Sequence, residues 1–361
     1  MIIVSPLIKL FFKIATLVIY LLTAFCAFGG YIPPELFSLP SVMVLALPYM
    51  VILSVVLIII WCLNRSFVVS GIGVLMLIIC WSPISMNFPF HSSHEPQQDS
   101  VRFKLLTWNV AHGVDFTKPE STDNRTFRTI LQLDADIVCL QECIDFSIKG
   151  IPNMSQELYD SICVKYPYRE RYNAHDVQIF SKYPFTRLPQ AEDHYYPNAR
   201  FARFNIDGHP FMLCNVHLTS YAIDPKDQKV ISGIRSPQGL EHSLKNFKNT
   251  LYQKLTKSFP LRSGVTKNLL WNIREYKSPV IVCGDFNDVP ASWTYRLFIK
   301  DGFKDAYADT NPFCTATFYN NFLFFHIDQI MYKGLIRPLW VDRIDVRSSD
   351  HYGLIAEFEF E

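Results

Sequence analysis

Three long stretches without a charged residue fill the N-terminal part of the chain: Ile14–Pro34, Leu36–Asn64 and Ser66–His94. Their densest parts, Ile14–Phe28, Val42–Leu63 and Phe67–Trp81, meet or approach the roughly 20 apolar residues that a bilayer-spanning helix requires. Three transmembrane helices are predicted over residues 1–84, with Pro48 adding a kink to the second. A cleaved signal peptide is the alternative for the first run, because Lys9 and Lys13 precede it and Ala24, Ala27 and Gly29 end it. With three spans, Lys9, Lys13 and Arg65 fall on one side. The positive-inside tendency then puts the N-terminus in the cytoplasm and everything after about Trp81 outside the cytoplasmic membrane. Residues 85–100, with Pro89, Pro96, His91, His94, Gln97 and Gln98, read as a polar tether.

From Val101 the pattern changes to short β-rich runs separated by turns. Phe103–Val110, Ile137–Gln141, Val177–Phe180, Phe201–Ile206, Phe211–Leu218, Val280–Cys283, Ile327–Tyr332 and Tyr352–Phe358 are predicted strands. Asp207-Gly208 marks a hairpin between the fourth and fifth. Thr126–Leu133, Gln156–Lys165, Leu240–Lys257 and Ser292–Lys300 have helical spacing, and Asp224–Gln238 reads as an exposed loop. The result is a mixed α/β domain over residues 101–361.

Charge narrows the function classes. The chain has 34 bases and 33 acids, with three of each in the first hundred residues, so the domain beyond is balanced. A protein that coats nucleic acid through many phosphate contacts carries a basic excess, and none is present. Cys139, Cys143, Cys163, Cys214, Cys283 and Cys314 show no zinc spacing, and Cys139 and Cys143 stand about 13 Å apart on a strand, too far for a disulfide. Buried free thiols are expected, a usage that fits a reducing compartment and pulls against the external topology.

Polar clusters sit where the apolar strands end: Trp108-Asn109, Gln141-Glu142, Asn215-Val216-His217, Gly284-Asp285-Phe286-Asn287 and Ser349-Asp350-His351. Strand ends are where α/β enzymes place their sites. Phe313, Phe318, Phe322, Phe324 and Phe325 gather just before Asp328, either as strand packing or as an aromatic lip for membrane or substrate.

Together these segments carry a resemblance. Lys104–Asn109, Asp136–Glu142, Ile179–Pro184, Asn215–Leu218, Gly284–Pro290, Ile327–Ile330 and Ser349–His351, in that order, are similar to the motifs of the endonuclease/exonuclease/phosphatase superfamily, most closely its pancreatic-type deoxyribonuclease and neutral sphingomyelinase branches. The resemblance implies a four-layer sandwich of two mixed β-sheets flanked by helices, with a site at one edge. It also implies roles. Glu142, supported by Asn109, holds Mg2+ (or Mn2+), and Asp350 shares a metal site. Asp285 positions or deprotonates the attacking water, Asn287 and His217 bind phosphoryl oxygens, and Asp328 polarises His351. The sequence departs from the pattern at His326, where many relatives have arginine, and at Asp176, where a small residue is common.

The expected function is that of a membrane-anchored bacterial member: a divalent-metal-dependent phosphodiesterase whose substrate is a lipid head group in the adjoining bilayer. A tethered nuclease and a non-catalytic binding module are the alternatives. No protein partner is inferable from these residues.

Overall fold

The N-terminal apolar pattern folds as helices α1 (Pro6–Phe28), α2 (Leu39–Val44), α3 (Leu47–Leu63), α4 (Phe67–Ile79) and α5 (Trp81–Asn87). They belong to a computed structural model that describes residues 6–115, 117–118, 123–169, 176–221, 252–320 and 323–361. The expectation of three full spans is corrected. Among the described residues one helix is long and apolar enough to cross a bilayer, 26 residues through Tyr31 when its closing 3-10 turn is counted. Pro48 sits in the first turn of α3, where its missing N–H costs little, so it starts a 17-residue helix instead of kinking a longer one. Pro83, in the first turn of α5, cannot donate to Ile79, and the chain bends by 73° between α4 and α5.

This helical unit is apolar on its outside, and its mainly apolar interior holds a few paired polar side chains. Thr23 Oγ1 lies 2.8 Å from Ser54 Oγ, and Trp61 Nε1 donates to Thr16 Oγ1 at 2.9 Å. Gly73 leaves α4 room to lie against Tyr20 and Ile58. Leu7, Phe11, Leu21, Leu63 and Val68 meanwhile stand 66–79% exposed.

The domain beyond is built on two six-stranded sheets. The first contains β1 (Arg102–Asn109), β2 (Ile137–Gln141), β3 (Tyr168–Arg169), β4 (Gln178–Ser181), β13 (Ile336–Arg343) and β14 (Leu354–Phe360), in the order β13-β14-β1-β2-β4-β3. The second contains β5 (Phe185–Leu188), β6 (Ala199–Ile206), β7 (His209–His217), β8 (Val280–Asp285), β9 (Lys304–Asp305) and β12 (Asp328–Lys333), in the order β5-β6-β7-β8-β12-β9. A small hairpin of β10 (Phe318–Asn320) and β11 (Leu323–Phe325) stands apart. Asp207 and Gly208, at φ +49° and +90°, turn β6 into β7 as the dipeptide predicts. Strand alternation fills both faces: Phe103, Leu105 and Phe358 meet Phe204, Phe211 and Ile281 between the sheets. On the outside, Leu106 and Val138 pack on α6 (Arg125–Leu133) and α7 (Gln156–Lys165). Cys214 and Val282 pack on α8 (Tyr252–Ile273) and α9 (Trp293–Lys300).

Several strands escaped the hydropathy pattern, notably β5 and β13, whose exposed positions and internal Pro338 blur the alternation. The helix expected over Leu240–Lys257 begins outside the described residues, as does the loop Asp224–Gln238. Its described part runs 16 residues further, to Ile273, straight through Pro260. Pro260 cannot donate to the Thr256 carbonyl, and Ser38 Oγ, from the N-terminal unit, does so at 3.2 Å.

That bond is part of a wide docking contact. Asn87 Nδ2 donates to the Pro290 carbonyl at 3.1 Å, Glu35 accepts from Ser263 and Lys267 at 2.7 and 2.6 Å, and the Arg296 guanidinium lies 3.5 Å from the centre of the Tyr31 ring. Val44 of α2 is fully buried against Val289 and Ile327. The expected tether lies along the domain, His91 and His94 donating backbone N–H groups to Asn311 and Leu339 at 3.0 and 2.7 Å. Gly30 makes the closest approach: a Cβ there would stand 1.8 Å from the Ala291 carbonyl oxygen. Gly30→Val is therefore expected to destabilise the docked unit by about 1–3 kcal/mol or more. In detergent it should lower the unfolding midpoint and open residues 29–46 to protease, whereas Gly71→Val, at a position with open space, should do neither.

Candidate active site

Each sheet has one parallel pair, β1 with β2 and β7 with β8. Parallel strands end on the same side, so register brings Asn109 opposite Gln141 and His217 opposite Asp285. Antiparallel β12 then starts at Asp328 directly opposite Asp285. The turn before β14 carries Ser349-Asp350-His351 to the end of β1, where Ser349 Oγ donates to the Asn109 carbonyl at 2.8 Å and Trp108 Nε1 donates to the His351 carbonyl at 3.0 Å. Beneath this edge a buried amide pair joins the sheets. Gln141 Nε2 donates to Asn215 Oδ1 at 2.6 Å, and Asn215 Nδ2 donates to the carbonyls of Leu140 and Gln178.

Asp285 is the centre of the site. It is 1% exposed and accepts from Asn109 Nδ2 at 3.0 Å and from the Asn287 backbone N–H at 2.8 Å. Two imidazoles face it, His217 Nε2 at 3.6 Å and His351 Nε2 at 3.7 Å. Each ring is held from behind by a second carboxylate: His351 Nδ1 lies 2.9 Å from Asp328 Oδ2, and His217 Nδ1 bonds Asp176 Oδ2. Burial disfavours charge on both rings, yet the surrounding carboxylates outweigh it, lifting His217 to about 9 and His351 to about 10. Burial raises Asp285, reinforced by Asp328 and opposed by both histidines and Asn109.

Glu142 closes the open side, its side chain 29% exposed. It lies 4.0 Å from His217 Nε2 and 3.6 Å from His112 Nε2, and Asn109 Nδ2 donates to its Oε1 at 3.1 Å. Glu142 and Asn287 hold left-handed backbone, at φ +52° and +50°, where a side chain carries strain, a feature that gathers at functional sites. Gly284 has no alternative, since a Cβ there would stand 1.9 Å from the Val216 carbonyl oxygen on β7.

Of the residues singled out in the sequence, Asn109, Glu142, His217, Asp285, Asn287, Asp328 and His351 share this edge. Asn287 Nδ2 donates to the Leu218 carbonyl at 3.0 Å. Asp350 points at Ser349 Oγ, 3.3 Å away, and adds to the field on His351. Asn109 turns its amide nitrogen toward Glu142 and Asp285 while Oδ1 accepts from Ala111 N–H at 3.0 Å, so it bridges two carboxylates instead of offering an oxygen between them. The donor set suits a hard divalent cation: five carboxylates (Glu142, Asp176, Asp285, Asp328 and Asp350) surround two imidazoliums, an excess of negative charge where an anionic phosphate would bind. Asp285, Asp328 and His351 also bring one ligand atom each within 4.8 Å of one another.

Three residues escaped sequence reasoning as site components. Asp176 fixes His217, and its only signal was its unusual place before Val177-Gln178. Asp288 is buried beside Asn287, with Arg262 Nη1 3.4 Å away. Arg262, fully buried on α8, stacks 4.3 Å over Tyr221 and donates to the Thr219 carbonyl at 3.0 and 2.7 Å, clamping the segment after His217 to the one after Asn287. Its helical position carried no polar signal. Of the phenylalanines, Phe318 packs 5.0 Å from the His351 ring, Phe325 packs with Val44, and Phe313 is exposed. Phe322 lies outside the described residues. His326 is half-buried, and desolvation of its ring holds it down to about 4 and neutral.

Comparison with solved structures finds similar chains. An endonuclease/exonuclease/phosphatase from Beutenbergia cavernae DSM 12333 is 14% identical over 72% of each chain, with a TM-score of 0.45. The human Nocturnin catalytic domain is 19% identical over 73% of this chain and 96% of that one, at 0.43, and Caenorhabditis elegans TDP2 in truncated form is 16% identical over 72% and 98%, at 0.45. No curated protein matches the chain. Residues 9–87 match a domain of unknown function. Residues 106–246 and 257–351 match the Endonuclease/Exonuclease/phosphatase family, a match covering well over half the chain and every residue of the site just described, and the chain belongs to that family of phosphoester hydrolases.

Proposed function

We propose that the protein is a membrane-anchored, divalent-metal-dependent phosphodiesterase that cleaves the phosphoester of a lipid head group. One observation carries the reading: a helical unit whose outer surface is lined with exposed apolar side chains docks on the loops that hold the reacting groups. An exposed apolar surface of that extent suits hydrocarbon better than water. Val44 at its base packs on Val289 and Ile327, which neighbour Asn287 and Asp328 in the chain. The site edge therefore lies next to the bilayer that α1 would cross. Lys9, Lys13 and Arg65 belong to the far end of the unit, Lys13 Nζ standing 6.0 Å over the Trp61 ring. The positive-inside tendency then supports an extracytoplasmic domain at the cytoplasmic membrane.

The residues divide the work. Glu142, braced by Asn109, would hold Mg2+ or Mn2+, with Asp350 nearby. When bound, the cation supplies positive charge to the phosphoryl oxygens. Asp285, raised by burial, accepts a proton from the attacking water, and Asn109 and the Asn287 N–H hold its carboxylate in line. Asn287 and His217 bind phosphoryl oxygens. His351, kept as imidazolium by Asp328, presents its Nε2 proton to the phosphate and to the oxygen that leaves.

In detergent micelles of sphingomyelin and phospholipid, the full-length protein should release head groups with magnesium and not with chelator. Nicked plasmid with untouched lipid would make it a tethered nuclease instead, and no turnover on either would support a binding module. Asp285→Asn and His351→Ala should each lower kcat about 10²–10⁴-fold. Glu142→Gln should lower activity and raise the magnesium concentration needed for half-maximal rate. Wild-type rates in these variants overturn the assignments.

The histidines also couple stability to pH. Both folded values lie above the ordinary value near 6.5, so their contribution is complete below about 6.5 and is lost as pH rises through 9 and 10. In chelator, the unfolding midpoint is expected to fall over that range, and His217→Asn with His351→Asn should flatten the decline. An equal decline in the double variant would refute the assigned shifts.

A further inference from the structure

A cavity of about 410 Å³ lies between the helical unit and the domain. Pro48, Tyr49 and Ile52 of α3, with Asn87 and Phe88, form one wall, and Val289, Pro290, Cys314–Ala316, Phe325, His326 and Arg343 the other. We propose that this groove holds one acyl chain of the lipid whose phosphate is cleaved, an assignment that rests on the lipid-substrate reading.

Three observations converge on it. First, the groove continues the apolar surface of α3. Tyr49, Ile52, Val56, Ile59 and Leu63 recur at helical spacing and stand 41–79% exposed, so they form one stripe that leads out of the groove. Over fourteen residues it extends about 21 Å, more than the roughly 15 Å of hydrocarbon in one leaflet. A chain in the groove thus passes along the stripe without crossing polar surface. Second, the domain wall belongs to the loops that carry the chemistry. Val289 and Pro290 follow Asn287, while Phe325 and His326 precede Asp328. Third, a short relay of contacts links the groove wall to the reacting imidazole. Phe325 is the cross-strand partner of Phe318, and the Phe318 ring lies 5.0 Å from that of His351. One strand-to-strand step separates the apolar groove from the site, the order in which a lipid presents chain and phosphate. Thr315, Arg343 and the imidazole of His326 are polar groups on the same domain wall. His326 Nε2 has no hydrogen-bond partner among the described residues.

Full-length protein in phosphatidylcholine–phosphatidylglycerol vesicles, doped with a phosphatidylcholine carrying a diazirine midway along one chain, tests the assignment. Irradiation should label the domain wall at Cys314–Ala316 or Phe325, residues outside the apolar unit. Ile52→Trp, which fills the groove from α3, should remove that label, while Ile59→Trp, further along the same stripe, should leave it. Ile52→Trp should also raise KM for the lipid at least about tenfold, the equivalent of roughly two buried methylenes, and leave the rate on bis(p-nitrophenyl) phosphate unchanged. An unlabelled domain wall, or label and KM indifferent to Ile52→Trp while lipid is still turned over, overturns the groove and spares the lipid substrate. Turnover of bis(p-nitrophenyl) phosphate without any of lipid overturns the substrate reading, and the chain assignment with it.

Discussion

The buried carboxylate of Asp285 is the point on which the site depends. A charge with 1% exposure is costly unless its surroundings answer it, and here an amide, a backbone N–H and two imidazoles do so. Those partners come from both sheets, so the sheets must meet in one register. Two parallel strand pairs ending on the same side supply that register, and the Gln141–Asn215 bond locks them together just below. The two histidines then need carboxylates of their own, Asp328 and Asp176, to stay charged in a buried place. The outcome is an edge with more negative than positive charge, which an anionic substrate can approach only with a cation. The metal requirement of the proposed mechanism follows from that balance.

The docked helical unit follows the same logic of answered buried groups. It is joined to the catalytic loops by backbone approach at Gly30, by hydrogen bonds at Asn87 and Ser38 and by packing at Val44. Ser38 shows how closely the two parts are fitted, since it donates to the Thr256 carbonyl, to which Pro260 has no N–H to give. The segment from His91 to Gln97, polar enough to be a loose tether, is instead bonded along the domain. A unit held this firmly fixes the position of α1 relative to the active-site edge.

Much of the domain was legible because burial imposes simple periods. The runs around Ile137–Gln141 and Val280–Cys283 are apolar on both faces since helices cover one side and the opposite sheet the other. The motifs at the strand ends were readable because glycine, asparagine and paired carboxylates have narrow uses there. What was not legible depends on distant neighbours. β13 carries Pro338 and several half-exposed positions, so its place on the sheet edge comes from pairing with β14. The three apolar runs read alike by composition, yet Pro48 and Pro83 shorten two of them once their places in the first turns of α3 and α5 are known.

The amino-acid sequence by itself determined the family, the mixed α/β class and the residues that gather at the site, because local period and motif chemistry need no knowledge of contacts. Tertiary structure alone decided how those residues face one another. Asp176, Arg262 and Asp288 acquire their roles from partners tens of residues away, and a carboxylate's charge, a histidine's protonation and a helix's docking face are set by what is nearby in space. The same reason governs the groove beside α3: each of its walls is ordinary in sequence, and only their juxtaposition makes the cavity.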